Sequence, residues 1–319
     1  MTVRDPQGIT ARAPLADRIA SAPCSFGVDE VVADDAWAPG PDEMLDWMLG
    51  IGYRGTELGA PGYLGTGTEA RVRLEGRGLA LVGAFLPQHF SRAERAGTDR
   101  EWLRRQVTLL RDASPEGSRP FAVLCEAVDE PDRLRWSGRI GDHPETWLDA
   151  GRHRTLVDNL HRAGELVASL GLRAVIHPHA GTYLETDHEI ERLMEALDPS
   201  LVGLCLDTGH FRYGGADPVR RIRDYAAAVH HVHIKDCRAS VLEAIPDGAG
   251  FVGAVKAGVF CPLGEGDSDI PGSVAALASI GYEGWLVVEQ DTALTLDITR
   301  SQLVATQRAN LGYLSGLLG

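Results

Sequence analysis

Short apolar runs recur along the chain, and between them apolar residues return every three or four positions. CSFGV (24–28), YRGTELG (53–59), LALVGAFLP (79–87), FAVLCEA (121–127), RAVIHPH (173–179), VGLCLDTGH (202–210), HHVHIKD (230–236) and GWLVVEQ (284–290) read as strands. The spacing predicts helices over 41–52, 68–76, 99–113, 147–171, 188–197, 217–229, 273–281 and 298–318. Pro41 near the start and Gly52 near the end of the first helix are residues that begin and end helices well. An irregular insert follows the fourth strand, and a glycine-rich loop runs from 247 to 266. Strand-then-helix units with short joints specify a parallel sheet covered by helices. Eight of them in a chain of 319 residues predict a closed (β/α)8 TIM barrel rather than an open doubly wound sheet.

Nucleotide binding loses its main support, because no GxGxxG follows the first strand and no GxxxxGK[ST] occurs. A hydrophobic fraction of 44% suits one large core, so residues 21–319 are expected to be one barrel domain behind a loose arm over 1–20. The net charge of −14 argues against a nucleic-acid or anionic-membrane partner. Five scattered cysteines (24, 125, 205, 237, 261) with no CxxC argue against a disulfide framework or zinc ribbon. With no apolar signal core and no apolar stretch near the roughly 18 residues a span needs, the cytoplasm is the expected location. A homo-oligomer, dimer or tetramer, is expected.

The chemistry gathers where the strands end. In such barrels the working site lies at the C-terminal ends of the strands. Those ends carry Glu57, His177 with His179, Asp207 with His210, His231 with His233 and Lys235, and Glu289. Each has a bland use: Asp207 could cap the following helix, Glu289 could pair with an arginine, and His188 and His230 read as structural. Several ends converging by topology point further, because a buried unpaired charge costs several kcal/mol. A mixed His/Asp/Glu shell without thiolate suits a divalent ion, Mn²⁺ or Co²⁺ ahead of Mg²⁺, Fe²⁺ or Zn²⁺. His177 and His179 share one strand face, as do His231 and His233, so one of each pair can ligate while the other meets substrate.

APCSFGV, GYRGTELGAPGYLG, HPHAGTYLE, DTGHFRYGGADP, HHVHIKDCR, VFCPLGEGDSDI and GYEGWLVVEQD, in this order, resemble the xylose-isomerase-like superfamily of sugar isomerases, ketose 3-epimerases and dehydratases, and its inosose dehydratase branch in particular. The resemblance implies a metal shell of Glu, Asp, His and Glu from strands five to eight. Asp207, His233 and Glu289 match the last three, while His177 stands at the strand-five position, with His179 as the other imidazole there. It also implies a hydro-lyase that removes an α-proton and a β-hydroxyl from an inosose or a related cyclic polyol ketone. Lys235, His179, His210 and His231 are then the acid–base candidates. Glu57 and Arg238 are candidates for holding hydroxyls, and Asp236 for orienting Lys235 or a histidine. Lys235 is the favoured base if burial near a cation depresses its pKa. The alternatives are an isomerase or epimerase on the same scaffold, and a carbohydrate-binding or partner subunit without activity.

Overall fold

Eight parallel strands, β1 (Ile19–Ser21), β2 (Gly55–Glu57), β3 (Ala80–Gln88), β4 (Phe121–Glu126), β5 (Arg173–Ile176), β6 (Val202–Asp207), β7 (Val229–Ile234) and β8 (Leu286–Val288), close into a barrel in the order 1-8-7-6-5-4-3-2. They come from a computed structural model that describes residues 14–28, 37–294 and 298–319. The helices that cover them are α1 (Pro41–Ile51), α2 (Gly67–Glu75), α3 (Ala96–Ala113), α4 (Pro131–Trp136), α5 (Ala150–Ser169), α6 (Asp187–Met194), α7 (Thr208–Tyr213), α8 (Pro218–Asp224), α9 (Ala239–Ala244), α10 (Gly250–Lys256), α11 (Ile270–Ser279) and α12 (Arg300–Leu318). Among the described residues no helix is long and apolar enough to cross a membrane.

The strands read as apolar runs because both faces are covered. β4 and β6 are buried at every position. Phe121, Val123, Val175 and Cys205 pack together inside the barrel, with Phe85 against them. Leu124, Ile176, Leu204, Leu206 and Val232 face the helices instead. Residues of one strand alternate between these environments, which is what lets the same run supply core and site. Helix starts are set locally: Thr66 with Glu69 and Thr186 with Glu189 form reciprocal capping boxes, and Asp149 accepts from Gly151 and Arg152 N–H.

Two expectations need correcting. CSFGV is not the first strand: residues 23–26 form a 3₁₀ turn, and the strand is Ile19–Ser21, paired with both β8 and β2. Pro23 has no N–H to give a ladder, and Gly27 at φ +77° ends the turn with the Leu294 side chain packed where a Cβ would sit. The barrel therefore begins inside the arm expected over 1–20, whose residues 1–13 lie outside the described chain. The 247–266 stretch is not a plain loop either. It carries α10 and a two-residue strand, Phe260–Cys261, antiparallel to Asp236–Cys237.

Candidate metal and active centre

β6 and β7 place Asp207 opposite His233 by register, and Glu289 directly follows Val288, the partner of Ile234. His177, just past β5, brings its Nε2 to 3.2 Å from His233 Nδ1 and 3.5 Å from Asp207 Oδ2. His233 Nδ1 lies 3.6 Å from Asp207 Oδ2 and touches Glu289 Oε2. One ligand atom from each of these four side chains thus falls within 4.8 Å of the others. Asp207 Oδ2 and Glu289 Oε2 are buried without an aligned hydrogen bond, their nearest charged neighbours being the Lys235 ammonium, 3.4 Å from Asp207 Oδ2, and His233 Nδ1, against Glu289 Oε2. Buried carboxylate oxygens are costly to leave unsatisfied, and these two point at the same small volume as two imidazole nitrogens. That donor set fits a divalent ion.

The groups behind the four fix how they point. Glu57 Oε1 accepts from His231 Nε2 at 2.8 Å and from His233 Nε2 at 3.0 Å. With its Nε2 on Glu57, His233 is turned so that its Nδ1 faces the cluster. Gly83 on β3 makes the room, since a Cβ there would come within 2.7 Å of Glu57 Oε1. Electrostatically the pocket favours positive charge. Burial, the largest influence on Glu57, raises its pKa, yet the two histidines outweigh it and hold the carboxyl down at about 2. Burial likewise opposes the ionisation of Asp207 and Glu289, but Lys235 and the neighbouring imidazoles hold both well below the carboxylate range. Cys205, close beneath His177 and His233, is pushed by burial up to about 12 and stays a neutral thiol.

Lys235 does not match its expected character. Its ammonium is fully buried and reaches Asp291 Oδ1 at 2.9 Å, His210 Nε2 at 3.0 Å, Glu289 Oε1 at 3.3 Å and Asp207 Oδ2 at 3.4 Å. Burial would lower its pKa, but the carboxylates of Asp207, Asp291 and Glu289 hold it well above the usual lysine value. So held, Lys235 is a buried ammonium among three carboxylates. His210 is also buried, its Nδ1 facing the Ala180 N–H at 3.3 Å. His231 lies deeper, against Glu57 and the Phe121 ring.

His179 differs from these three. It is half-buried, and its Nδ1–H donates to Ala180 O at 2.7 Å, which leaves the Nε2 lone pair available. Burial first, then His177 and Lys235, hold its pKa at about 3, so the ring is neutral at neutral pH.

Three substrate-binding candidates take other places. Glu57 is buried behind His231 and His233 and orients them. Asp236 faces away from Lys235, as strand alternation requires. Its carboxylate accepts from the N–H groups of Cys237, Gly264, Gly266 and Ser268, and so folds the 260–268 segment. Arg238 pairs with Glu265 on the same segment. Asp236 and Arg238 thus serve the 260–268 segment, and Glu57 backs His233, one of the four ligand-type side chains.

A model of the xylose isomerase-like TIM barrel matches residues 45–308. An inosose dehydratase of Geobacillus kaustophilus is 34% identical over 292 residues, covering 90% of this chain and 92% of its own. The chain belongs to the xylose isomerase-like TIM barrel family. An inosose dehydratase of Clostridium tetani is 39% identical over 255 residues, 78% of this chain and 82% of its own. Among solved structures of the family fold, the IOLI protein with a bound zinc atom superposes with a TM-score of 0.69 at 15% identity, covering 94% of this chain and 98% of that one.

Within this family frame, three features of the site escaped the sequence reading. Asp291 holds Lys235, and its signal was present: it stands two residues after Glu289 in GWLVVEQD, the spacing that returns a side chain to one face. Phe85 is half-buried with its ring 6.0 Å from His177 and 5.9 Å from His179. Phe251 on α10 lies 5.2 Å from the His179 ring. No local pattern marks Phe251, because only tertiary packing brings α10 over the barrel mouth.

Proposed function

We propose that the protein is a hydro-lyase that removes water from an inosose, a cyclic polyol ketone, at the C-terminal mouth of its barrel. The observation that carries this is the convergence of His177, Asp207, His233 and Glu289 with two buried carboxylate oxygens that lack an aligned hydrogen bond, beside one half-buried, neutral imidazole. Kinship with the inosose dehydratases supplies the substrate class. A divalent ion, Mn²⁺ or Co²⁺ by preference, held by those four residues would polarise the ketone and favour the negative charge that grows on its oxygen.

The chain's own residues divide the remaining work. His179 Nε2 takes the proton from the carbon next to the ketone, and the β-hydroxyl departs. If both lie on the same face of the ring, His179 hands that proton to the leaving hydroxyl, so one side chain serves as base and then acid and the product is water. Glu57 holds the His233 ring. Asp291 fixes the Lys235 ammonium, which offsets the carboxylates of Asp207 and Glu289. Lys235 and His210 act by position, since both side chains are buried.

The test is to supply purified protein with Mn²⁺ or Co²⁺ and scyllo-inosose and to follow the dione product by its absorbance. Metal-dependent appearance of the dione is expected. Epimerised ketone without dione would replace the lyase by an epimerase, and no conversion with any divalent ion would remove the enzyme reading.

A further inference from the structure

The mouth has two kinds of wall. One is the cluster of ligand-type and charged side chains. The other is aromatic: Phe85 on β3 and Phe251 on α10 both lie within ring-contact distance of His179, and Phe260 is 5.1 Å from His210. Phe85 is half-buried between buried neighbours on β3, and Phe251 is half-buried between the buried Gly250 and the exposed Val252 on α10. A site for an open, flexible polyol has little use for flat apolar surface.

Phe251 is held in place and does not sweep freely. Its ring lies 6.2 Å from Tyr213 and 6.3 Å from Phe260, against the cluster that contains Ala254, Val255 and Val259. Gly250, at φ +60°, lets the backbone press on α4 so closely that a Cβ would come within 2.0 Å of Leu134 O. The aromatic face is therefore present before any ligand arrives, so little ordering cost attaches to its use.

We infer that Phe251 is a specificity-determining residue whose ring covers one face of the substrate ring and selects cyclic polyols with every hydroxyl equatorial. This rests on the reading of the site as one for a cyclic polyol ketone. In such a ring all oxygens lie around the edge and both faces expose only C–H groups. The edge meets the ligand-type cluster and one face meets the phenyl ring, which buries apolar surface without stranding a hydroxyl. An axial hydroxyl on that face would meet the phenyl ring with no partner, a desolvation loss. An open-chain ketose offers no comparable flat face.

The experiment measures binding of two unreactive cyclitols to the metal-loaded protein: scyllo-inositol, all equatorial, and myo-inositol, with one axial hydroxyl. Wild type is expected to prefer scyllo-inositol by about tenfold, the scale of one apolar pocket contact, and Phe251→Ala to lose that preference with its metal content unchanged. For the reacting ketone, KM should rise with kcat nearly constant, because the face contact is the same in the bound and transition states. Phe251→Leu, which keeps bulk but loses the flat face, should fall between. No preference in wild type, or a preference that survives in Phe251→Ala, overturns the inference. Failure of wild type to dehydrate inosose would instead overturn the lyase reading and leave the cyclitol comparison valid.

Discussion

Two sectors of the same barrel rim carry dense titratable groups and treat them in opposite ways. Around β3 and β4, Glu126 accepts from the Ser91 N–H and hydroxyl, Asp129 pairs with His89 and Arg92, and Glu130 with Arg92 and Arg152. His89 is itself held between Asp99 and Asp129. Every carboxylate there has a protein donor. Around β5 to β8 each carboxylate has one oxygen on a protein donor, Asp207 Oδ1 on the His210 N–H and Glu289 Oε1 and Asp291 Oδ1 on Lys235, while Asp207 Oδ2, Glu289 Oε2 and Asp291 Oδ2 have no aligned hydrogen bond, although these side chains are more deeply buried than Asp129 or Glu130. A self-satisfied network rigidifies a scaffold, whereas convergent unsatisfied acceptors await a cation. Abundance of charge does not locate the site. The place where protein donors run short does.

The largest expected effect comes from attacking that shortage directly. Asp207→Asn keeps volume but removes an anionic oxygen from the cluster. Altering groups behind a metal ligand typically costs about 10–100-fold in affinity, so losing a ligand should exceed 100-fold. Metal content of the purified variant, by elemental analysis, gives the check. Wild-type content in both Asp207→Asn and Glu289→Gln would erase the contrast between the two sectors.

His179→Ala should follow, with turnover lowered about 10²–10⁴-fold, the usual span for a general acid–base group. Bound metal should be unchanged, because His179 donates to Ala180 O and is not one of the four converging side chains. Near-normal turnover would return the role to the buried candidates. A parallel loss of metal would instead make His179 part of the shell.

The fold was legible almost throughout. Strand-then-helix alternation survives translation into structure because each parallel strand is covered on both faces and so spells an apolar run. β1 was misplaced because CSFGV has strand composition while IAS, the true strand, is too short to stand out. Of the site, the residues on strand alternation were readable: His177, Asp207, His233 and Glu289 converge, since register places what sequence lists. Roles were less readable than positions. Whether Lys235 is a base or a fixed cation depends on Asp291, and whether Glu57 meets substrate or supports His233 depends on Gly83 leaving it room. Burial depth, which separates His179 from His210 and His231, is a property of the whole barrel and has no local spelling.

Glu57→Gln sharpens the comparison from behind. It removes the charge that accepts from both His231 and His233 while keeping size, so the orientation of the His233 ring is no longer imposed. Metal affinity should fall about 10–100-fold, less than for Asp207→Asn, and turnover at saturating metal should recover most of its value. Turnover that stays low with the ion bound would mean that Glu57 touches substrate after all.

The smallest effect belongs to the satisfied sector. Arg92 bridges Asp129 at 2.9 Å and Glu130 at 3.0 Å, with a quarter of its side chain exposed (25%). Exposed ion pairs contribute about 0–1 kcal/mol. His89 still reaches Asp129, and Arg152 still reaches Glu130, when Arg92 is gone. Arg92→Ala should therefore cost about 1 kcal/mol or less in denaturant unfolding, and leave metal content and turnover within about twofold. The screening of such pairs by salt adds a second reading: the wild-type and variant stabilities should converge as ionic strength rises. A large loss of metal or turnover in Arg92→Ala would show that the β3–β4 network reaches across the mouth into the chemistry, and the two sectors would then have to be treated as one.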